Sequence, residues 1–359
     1  MFRLALKKAN SLLWLARHKA WPYAKLRSIG RCKSLTGRRN GPLKGWRRLR
    51  PREIIWDERV DGARLFVAVL PSGRVWRDLG AVVASDGMLI ADVSRRFEGF
   101  TRNHDALTAD SFPPPRMHPG SLAVINSIAA YNYYHWMFDV LPRIAILRRS
   151  KVAFSSIFAS RRLPFQVRAL QMAEIDLAQV IDADSQDNVL CEVDQLIVPS
   201  LPGEIGVPTQ FSVDWLRDTF ASCLADIAPA RRFYVTRNDA GLRRVLNETA
   251  VVAAIGRFGF ELVNLSRLSL DDQIRLFSEA DIVTGPHGAG LSNAAFMSDT
   301  SRGVIEFMPA TYDHRCIEVI CGLRRIAYER LTLPSDGGHS HDMTVDIPAF
   351  CAVLEKRLA

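Results

Sequence analysis

From Phe233 to Glu306 the chain alternates short apolar runs with amphipathic stretches, one pair every ~20–30 residues, which is the rhythm of a parallel, doubly wound α/β sheet. No other feature constrains the fold as strongly. Phe233-Tyr234-Val235-Thr236 reads as a strand ending at Arg237. Arg243 and Arg244 lie in the loop that follows, and Asn247-Glu248 opens a helix running to Phe258. Phe260-Glu261-Leu262-Val263 is the next strand, and Leu270 to Ala280 is an amphipathic helix. Asp281-Ile282-Val283-Thr284 is a short buried strand. Gly285-Pro286-His287-Gly288-Ala289-Gly290 is a turn too tight for bulky side chains, and Leu291 to Met297 has the apolar spacing of a helix start. Val304-Ile305-Glu306-Phe307 reads as the strand after it.

A strand, a Gly-rich turn and a helix N-terminus together present free backbone N–H groups to an anion. Strand ends beside such a turn are where open α/β sheets bind ligands. His287 adds a donor within the turn, and Arg237, Arg243 and Arg244 are candidates to converge on it, because guanidinium forks match phosphate oxygens. Taken singly, each feature also has a bland explanation: a tight turn with a surface histidine, and arginines at loop ends.

Upstream, Ile54 to Val93 alternates apolar runs with turns at Asp61-Gly62, Ser72-Gly73 and Asp86-Gly87, a β-meander or hairpin series. Phe112 to Pro119 contains Pro113-Pro114-Pro115 and reads as an extended linker before a strand at Leu122-Ala123-Val124-Ile125. The segment Tyr131 to Arg143 is aromatic and mostly apolar yet carries His135 and Asp139, which share a helix face at i and i+4. Pro142 requires a kink or break just after them. A buried helix whose histidine and aspartate bond each other is the bland reading, while aromatic faces around such a pair also suit a sugar-binding cleft. Val152-Ala153-Phe154, Ile157-Phe158 and Leu196-Ile197-Val198 are strand-like, Pro164 to Ala173 and Asp214 to Ile227 are helical, and Pro199 to Pro208 reads as a linker between lobes. Asp182-Ala183-Asp184 follows an apolar pair and has the pattern of a divalent-metal site, although a solvated acidic turn is the simpler account of so short a pattern.

Charge is unevenly placed. Residues 1–52 hold sixteen Lys or Arg and no acid, leaving 31 basic and 38 acidic side chains for the remainder. The net charge of +9 therefore belongs to the N-terminal segment. Phe2, Leu6, Ala9, Leu13 and Ala16 fall on one helical face, opposite Arg3, Lys7 and Lys8. No apolar run reaches the ~20 residues needed to span a bilayer. A basic amphipathic start suits an anionic membrane surface. Nucleic acid is the rival partner, but no recognition motif or stacking platform supports it; a solvated tail is the third reading. The six cysteines form no Cys-x-x-Cys pair, so their spacing suggests neither a zinc site nor a disulfide framework, and a reduced, cytoplasmic setting is the simplest expectation.

Three blocks then carry a family resemblance. They are Asn132-Tyr133-Tyr134-His135-Trp136 through Asp139 to Pro142; Thr236-Arg237 through Arg244 to Asn247-Glu248; and Gln273 through Ala280, Gly285, His287-Gly288-Ala289-Gly290-Leu291, Asn293 and Phe296 to Glu306. In order and spacing the chain resembles glycosyltransferase family 61. That family includes bacterial polysaccharide-biosynthesis enzymes, plant xylan glycosyltransferases and animal O-linked N-acetylglucosaminyltransferases. The resemblance covers roughly residues 54–330, and the basic N-terminus lies outside it.

The resemblance implies two Rossmann-like lobes facing across a cleft, the GT-B arrangement, within an α/β fold. The expected organisation is a basic segment over residues 1–52, an acceptor-side lobe over 53–205, a donor-binding Rossmann-like lobe over 206–345 and a C-terminal helix over 346–359. It also implies an inverting transfer from a nucleotide sugar, UDP-linked, with no metal or other cofactor, to a hydroxyl of a glycan or lipid-linked glycan. The setting would be capsular or extracellular polysaccharide or glycolipid assembly, peripheral on the inner face of the cell membrane. Donor contacts are expected from Arg237, Arg243, Arg244, Asn247, Glu248, His287, Gly288, Ala289, Gly290, Asn293 and Glu306, although Asn247 and Glu248 have helix capping as an alternative. Acceptor contacts fall to Asn132, Tyr134 and Trp136. Asp139 is the first choice for the base and His135 the second. The alternatives are a non-catalytic glycan- or nucleotide-binding protein of the same fold, and a metal-dependent transferase using Asp182 and Asp184.

Overall fold

The computed structural model describes residues 42–97, 104–184, 190–335 and 338–359. Two sheets organise them. The first contains β1 (Gly45–Arg47), β2 (Ile54–Val60), β3 (Ala63–Pro71), β4 (Arg74–Trp76), β5 (Ala81–Val83), β6 (Met88–Ile90), β7 (Arg116–Val124), β8 (Ser156–Ala159), β9 (Val180–Asp182) and β10 (Leu190–Pro199). Its order is β1-β6-β5-β4-β10-β7-β8-β9, with β3 also on β10 and β2 on β3. The meander expected from Ile54 onward forms the antiparallel half, and β10, β7, β8 and β9 run parallel.

The second sheet is wholly parallel: β11 (Arg231–Val235), β12 (Phe260–Val263), β13 (Ala280–Pro286), β14 (Gly303–Pro309) and β15 (Tyr328–Leu333), in the order β12-β11-β13-β14-β15. The chain winds outward from β11 to β12, then returns to the other side of β11 as β13. The topological switch point therefore lies between β11 and β13. Alternation along the strands feeds two faces. Phe233, Val235, Val283 and Val304 pack with residues of the helices Leu270–Ser278 and Cys316–Leu323, while Tyr234, Ile282, Ile305 and Phe307 pack with Glu248–Ile255 and Ile347–Leu358. The first of these faces continues into the other sheet. Leu65, Ala123, Ile157 and Ile197 belong to the same apolar cluster, joined through Trp136, Val140, Ile144, Val213 and Leu216.

Several boundaries differ from expectation. Residues 42–52, grouped with the basic segment by charge, include β1, and Arg47 pairs with Glu53 at 2.7 Å and Asp86 at 2.8 Å. The rest of that segment, residues 1–41, lies outside the described residues. β7 begins at Arg116, inside the stretch read as a linker, because it pairs with β10 despite its polar start. Val152 to Phe154 is not a strand, and the helix after the second linker is Gln210–Thr219. The expected helix at Leu291 is a 3-10 segment, Ala289–Phe296. No described helix is long and apolar enough to cross a membrane.

Candidate active site

The segment between β7 and β8 places His135 and Asp139. Asn132 accepts the Tyr134 N–H and caps a helical turn, Tyr133–His135, which widens into a π-helix over Trp136–Val140. Pro142 has no N–H for the Phe138 carbonyl; the Ser212 hydroxyl donates to that carbonyl at 3.2 Å instead. The widened turn presents His135 Nδ1 to Asp139 Oδ2 at 2.6 Å. Just beyond, the fully buried Arg143 donates to the carbonyls of Ile125, Asn126 and Pro199, fixing the ends of β7 and β10 beside this turn. Burial without a carboxylate pulls its guanidinium down to about 9.

Within this pair the two members differ in exposure. The Asp139 side chain is 3% exposed and that of His135 14%. Both Asp139 oxygens also accept the Gly206 N–H, each at 3.2 Å, so the carboxylate is enclosed by protein. Burial raises its pKa, opposed by the His135 bond. Histidine is the more exposed member, and its Nε2 has no hydrogen-bond partner among the described residues. Gly206 itself is clamped from the other side, since the Tyr134 hydroxyl donates to its carbonyl at 2.7 Å. Its φ of +80° favours glycine, and a Cβ there would stand 3.7 Å from His135 Cε1 and 4.0 Å from His314 Nε2.

Beyond His314 lies a second histidine–carboxylate pair. His287 Nδ1 lies 2.6 Å from Glu306 Oε1, and the Tyr328 hydroxyl donates to Glu306 Oε2 at 2.6 Å. Glu306 is completely buried, and register places β14 between the strands carrying its two partners. His314 lies 5.8 Å from His287 between ring centroids, and Tyr312 lies 5.4 Å from His287. Burial, then the neighbouring His287 and His135, hold His314 below the ordinary imidazole range. Among the described residues, His287, His314 and Cys316 alone have metal-ligand spacing, with ligand atoms within 4.8 Å of one another. Burial and Glu306 push the Cys316 thiol up to about 12, and His314 Nδ1 already accepts the Cys316 N–H at 3.3 Å.

At the switch point, the ends of β11 and β13 line a pocket of about 180 Å³ formed by Thr236, Arg237, Asn264, Pro286, Gly288 and Gly290, among others. Arg237 packs against Gly288 so closely that a Cβ at position 288 would fall on its guanidinium. Burial, then Arg243, pulls the Arg237 pKa down to about 10. Arg243 donates to the His287 carbonyl at 3.0 Å and lies 4.8 Å over the Tyr312 ring. Neither arginine forms a carboxylate ion pair among the described residues. Asp239 lines the same pocket, and Arg237 donates to the Leu242 carbonyl at 3.3 Å. Two guanidiniums beside a Gly-rich turn have the chemistry that suits an anion. Residues 133–305, which span both the His135 turn and this pocket, match the model of the family described as Glycosyltransferase 61. Over that span the chain belongs to glycosyltransferase family 61. Membership makes the chain a glycosyltransferase, with a nucleotide sugar and a glycan acceptor as the implied partners. No curated protein matches the chain.

The family 61 span brings together His135, Asp139, Arg237, Arg243, His287 and Gly288, and leaves other expected contacts elsewhere. Arg244 turns to Asp342, Nη2 to Oδ2 at 2.6 Å, rather than to the His287 turn. Asn247 bonds Val345 in both directions instead of capping its helix, and Glu248 accepts from the Thr236 hydroxyl. Asn293 accepts from the Tyr133 hydroxyl at 2.5 Å and donates to Gln273, tying the two halves of the core together. Trp136 is fully buried, so its face is closed to an acceptor, while Asn132 and Tyr134 are engaged as cap and clamp. The exposed aromatic beside His135 is Phe97, at 5.1 Å between ring centroids. Asp182 accepts the N–H groups of Asp184 and Arg161 in a local turn. His314, Gly206 and Tyr328 escaped the sequence reading. His314 and Tyr328 lie past the family span and carry no motif, and Gly206 sits in a stretch that reads as a linker.

Proposed function

We propose that the chain is an inverting, metal-independent transferase that moves a sugar from a UDP-linked donor to a hydroxyl of a glycan or glycolipid acceptor, with the donor held by the C-terminal sheet in a GT-B arrangement. The observation that carries this reading is the placement of Arg237 and Arg243, neither in a carboxylate ion pair among the described residues, at the switch-point turn, with His135 carried by the segment between β7 and β8 of the other sheet. The arginines and the N–H groups that open the 3-10 segment meet the diphosphate charges. His135 Nε2 takes the proton of the acceptor hydroxyl as its oxygen attacks the anomeric carbon. The bond from that carbon to the diphosphate oxygen breaks with its electron pair, and UDP leaves from the opposite face. Asp139 holds the imidazole tautomer and stabilises the imidazolium, the division of labour of a serine-protease triad. The pair at His287 and Glu306 braces the donor turn. The basic N-terminal segment supports a setting in polysaccharide or glycolipid assembly at the inner membrane face.

The test is UDP titration beside UDP release from a panel of UDP-sugars, hydrolysis being read where no acceptor is supplied. His135→Gln lowers turnover by ~10²–10⁴-fold with UDP affinity unchanged, and Arg243→Ala weakens UDP binding. Wild-type turnover in folded His135→Gln removes the base, and no UDP binding by the wild-type chain removes the donor site.

A further inference from the structure

His135 and His314 flank Gly206, and His287 lies 5.8 Å from His314 between ring centroids; among the three, only His135 and His287 have a carboxylate on Nδ1. His314 is different. Its Nδ1 accepts the backbone N–H of Cys316 at 3.3 Å, so in the neutral ring the proton sits on Nε2. That atom has no protein partner among the described residues, and it faces Gly206, toward the side where His135 lies. His287 lies 5.8 Å and Tyr312 6.5 Å from the ring between centroids, and Arg243 lies over Tyr312. The chain therefore aims a neutral N–H donor into the space between the base and the donor turn.

We propose, resting on the donor reading above, that His314 is a further catalytic residue, donating its Nε2–H as a hydrogen bond to the diphosphate oxygen as the bond to the anomeric carbon breaks. No proton changes hands in this step: the oxygen gains the electron pair of the broken bond, and the N–H dipole stabilises it. The site is suited to this because a fixed dipole costs no reorganisation when charge develops. A cationic imidazole would repel His135 as that ring takes up its own proton. The neutral form, favoured by burial, avoids the conflict. The interaction strengthens only as charge builds on the oxygen, so it acts on kcat rather than on donor affinity.

The experiment compares the full chain with His314→Leu and His314→Gln, each shown folded by circular dichroism and melting. The readouts are UDP titration and kcat for the UDP-sugar that the wild-type chain turns over best. His314→Leu is expected to lose ~10²–10³-fold in kcat, the range for removing one oxyanion donor, with UDP affinity within about twofold of wild type. His314→Gln, which keeps an N–H donor of similar reach, is expected to recover at least about tenfold of that loss. Wild-type kcat in His314→Leu overturns the proposal, as does a glutamine variant no better than leucine, since a packing role gives the second result. A loss confined to UDP affinity overturns it too, by making His314 a binding residue. A wild-type chain that binds no UDP overturns the donor reading itself, and the wild-type titration separates that failure from the others.

Discussion

A buried histidine that must stay neutral makes folding sensitive to acid, and His104 is such a residue. It is 2% exposed, and its Nδ1 accepts the Ala106 N–H at 3.1 Å as the N-cap of the helical turn Asp105–Thr108. Burial pulls its pKa from 6.5 down to about 4, with Asp105 opposing and Arg96 reinforcing that depression. The folded pKa is depressed, so between these two values the unfolded chain binds the extra proton. The stabilisation is complete above about 6.5 and is lost as pH falls toward 4. At pH 5 the loss is about 2 kcal/mol, because stability falls by ~1.4 kcal/mol for each pH unit below the unfolded-state pKa. His104→Asn keeps a capping acceptor but cannot titrate. Moving from pH 7 to pH 5 in urea unfolding should therefore cost the wild-type chain about 2 kcal/mol more than the variant. Parallel pH dependences would show that His104 does not titrate in this window.

At the scale of elements, the turn after β13 couples fold to ligand through one small residue. Gly288 has extended backbone, φ 179°, which any residue adopts. The constraint is the Arg237 guanidinium lying where a Cβ would go. Gly288→Ala should therefore leave the melting temperature nearly unchanged, because the obstacle is the mobile end of a side chain. It should weaken UDP binding by ~10–100-fold, the worth of one charge-assisted hydrogen bond. Wild-type UDP affinity in this variant would mean that Arg237 does not contact the phosphates. Much of this element layer was legible in the sequence. β11 to β14 are short apolar runs bounded by turns, and His135 and Asp139 are readable as a pair from their four-residue spacing. The 3-10 geometry of Ala289–Phe296 was not, since eight residues of apolar spacing do not separate three residues per turn from 3.6. The start of β7 was hidden by Pro113 to Pro115 and by the polar Arg116 and His118. Tyr328 meets Glu306 only through sheet register, and His314 meets Gly206 only through packing of loops more than a hundred residues apart, and neither leaves a local trace.

At the scale of the molecule, charge and fold divide at different places. The basic excess runs through residue 52, but within it β1, Gly45–Arg47, already pairs with β6 and Arg47 holds Glu53 and Asp86. Residues 1–41 still carry eleven Lys or Arg and no acid. Each basic residue near an anionic bilayer contributes ~1 kcal/mol, screened by salt, so a handful at the surface is enough for reversible attachment. Two truncations separate the roles. Removing residues 1–41 should abolish co-sedimentation with phosphatidylserine-containing vesicles and leave the melting temperature unchanged. Removing residues 1–52 should abolish binding equally but also lower the melting temperature by several degrees. That longer cut takes away β1 and leaves the Glu53 carboxylate, only 10% exposed, without the Arg47 fork. Binding by the wild-type chain should fall as salt rises and be weak on neutral phosphatidylcholine vesicles. If the shorter truncation still binds anionic vesicles as the wild type does, the attachment resides in the folded body, whose described face would then have to supply it. If both truncations melt alike, β1 is dispensable and the charge boundary at residue 52 is also the boundary of stability.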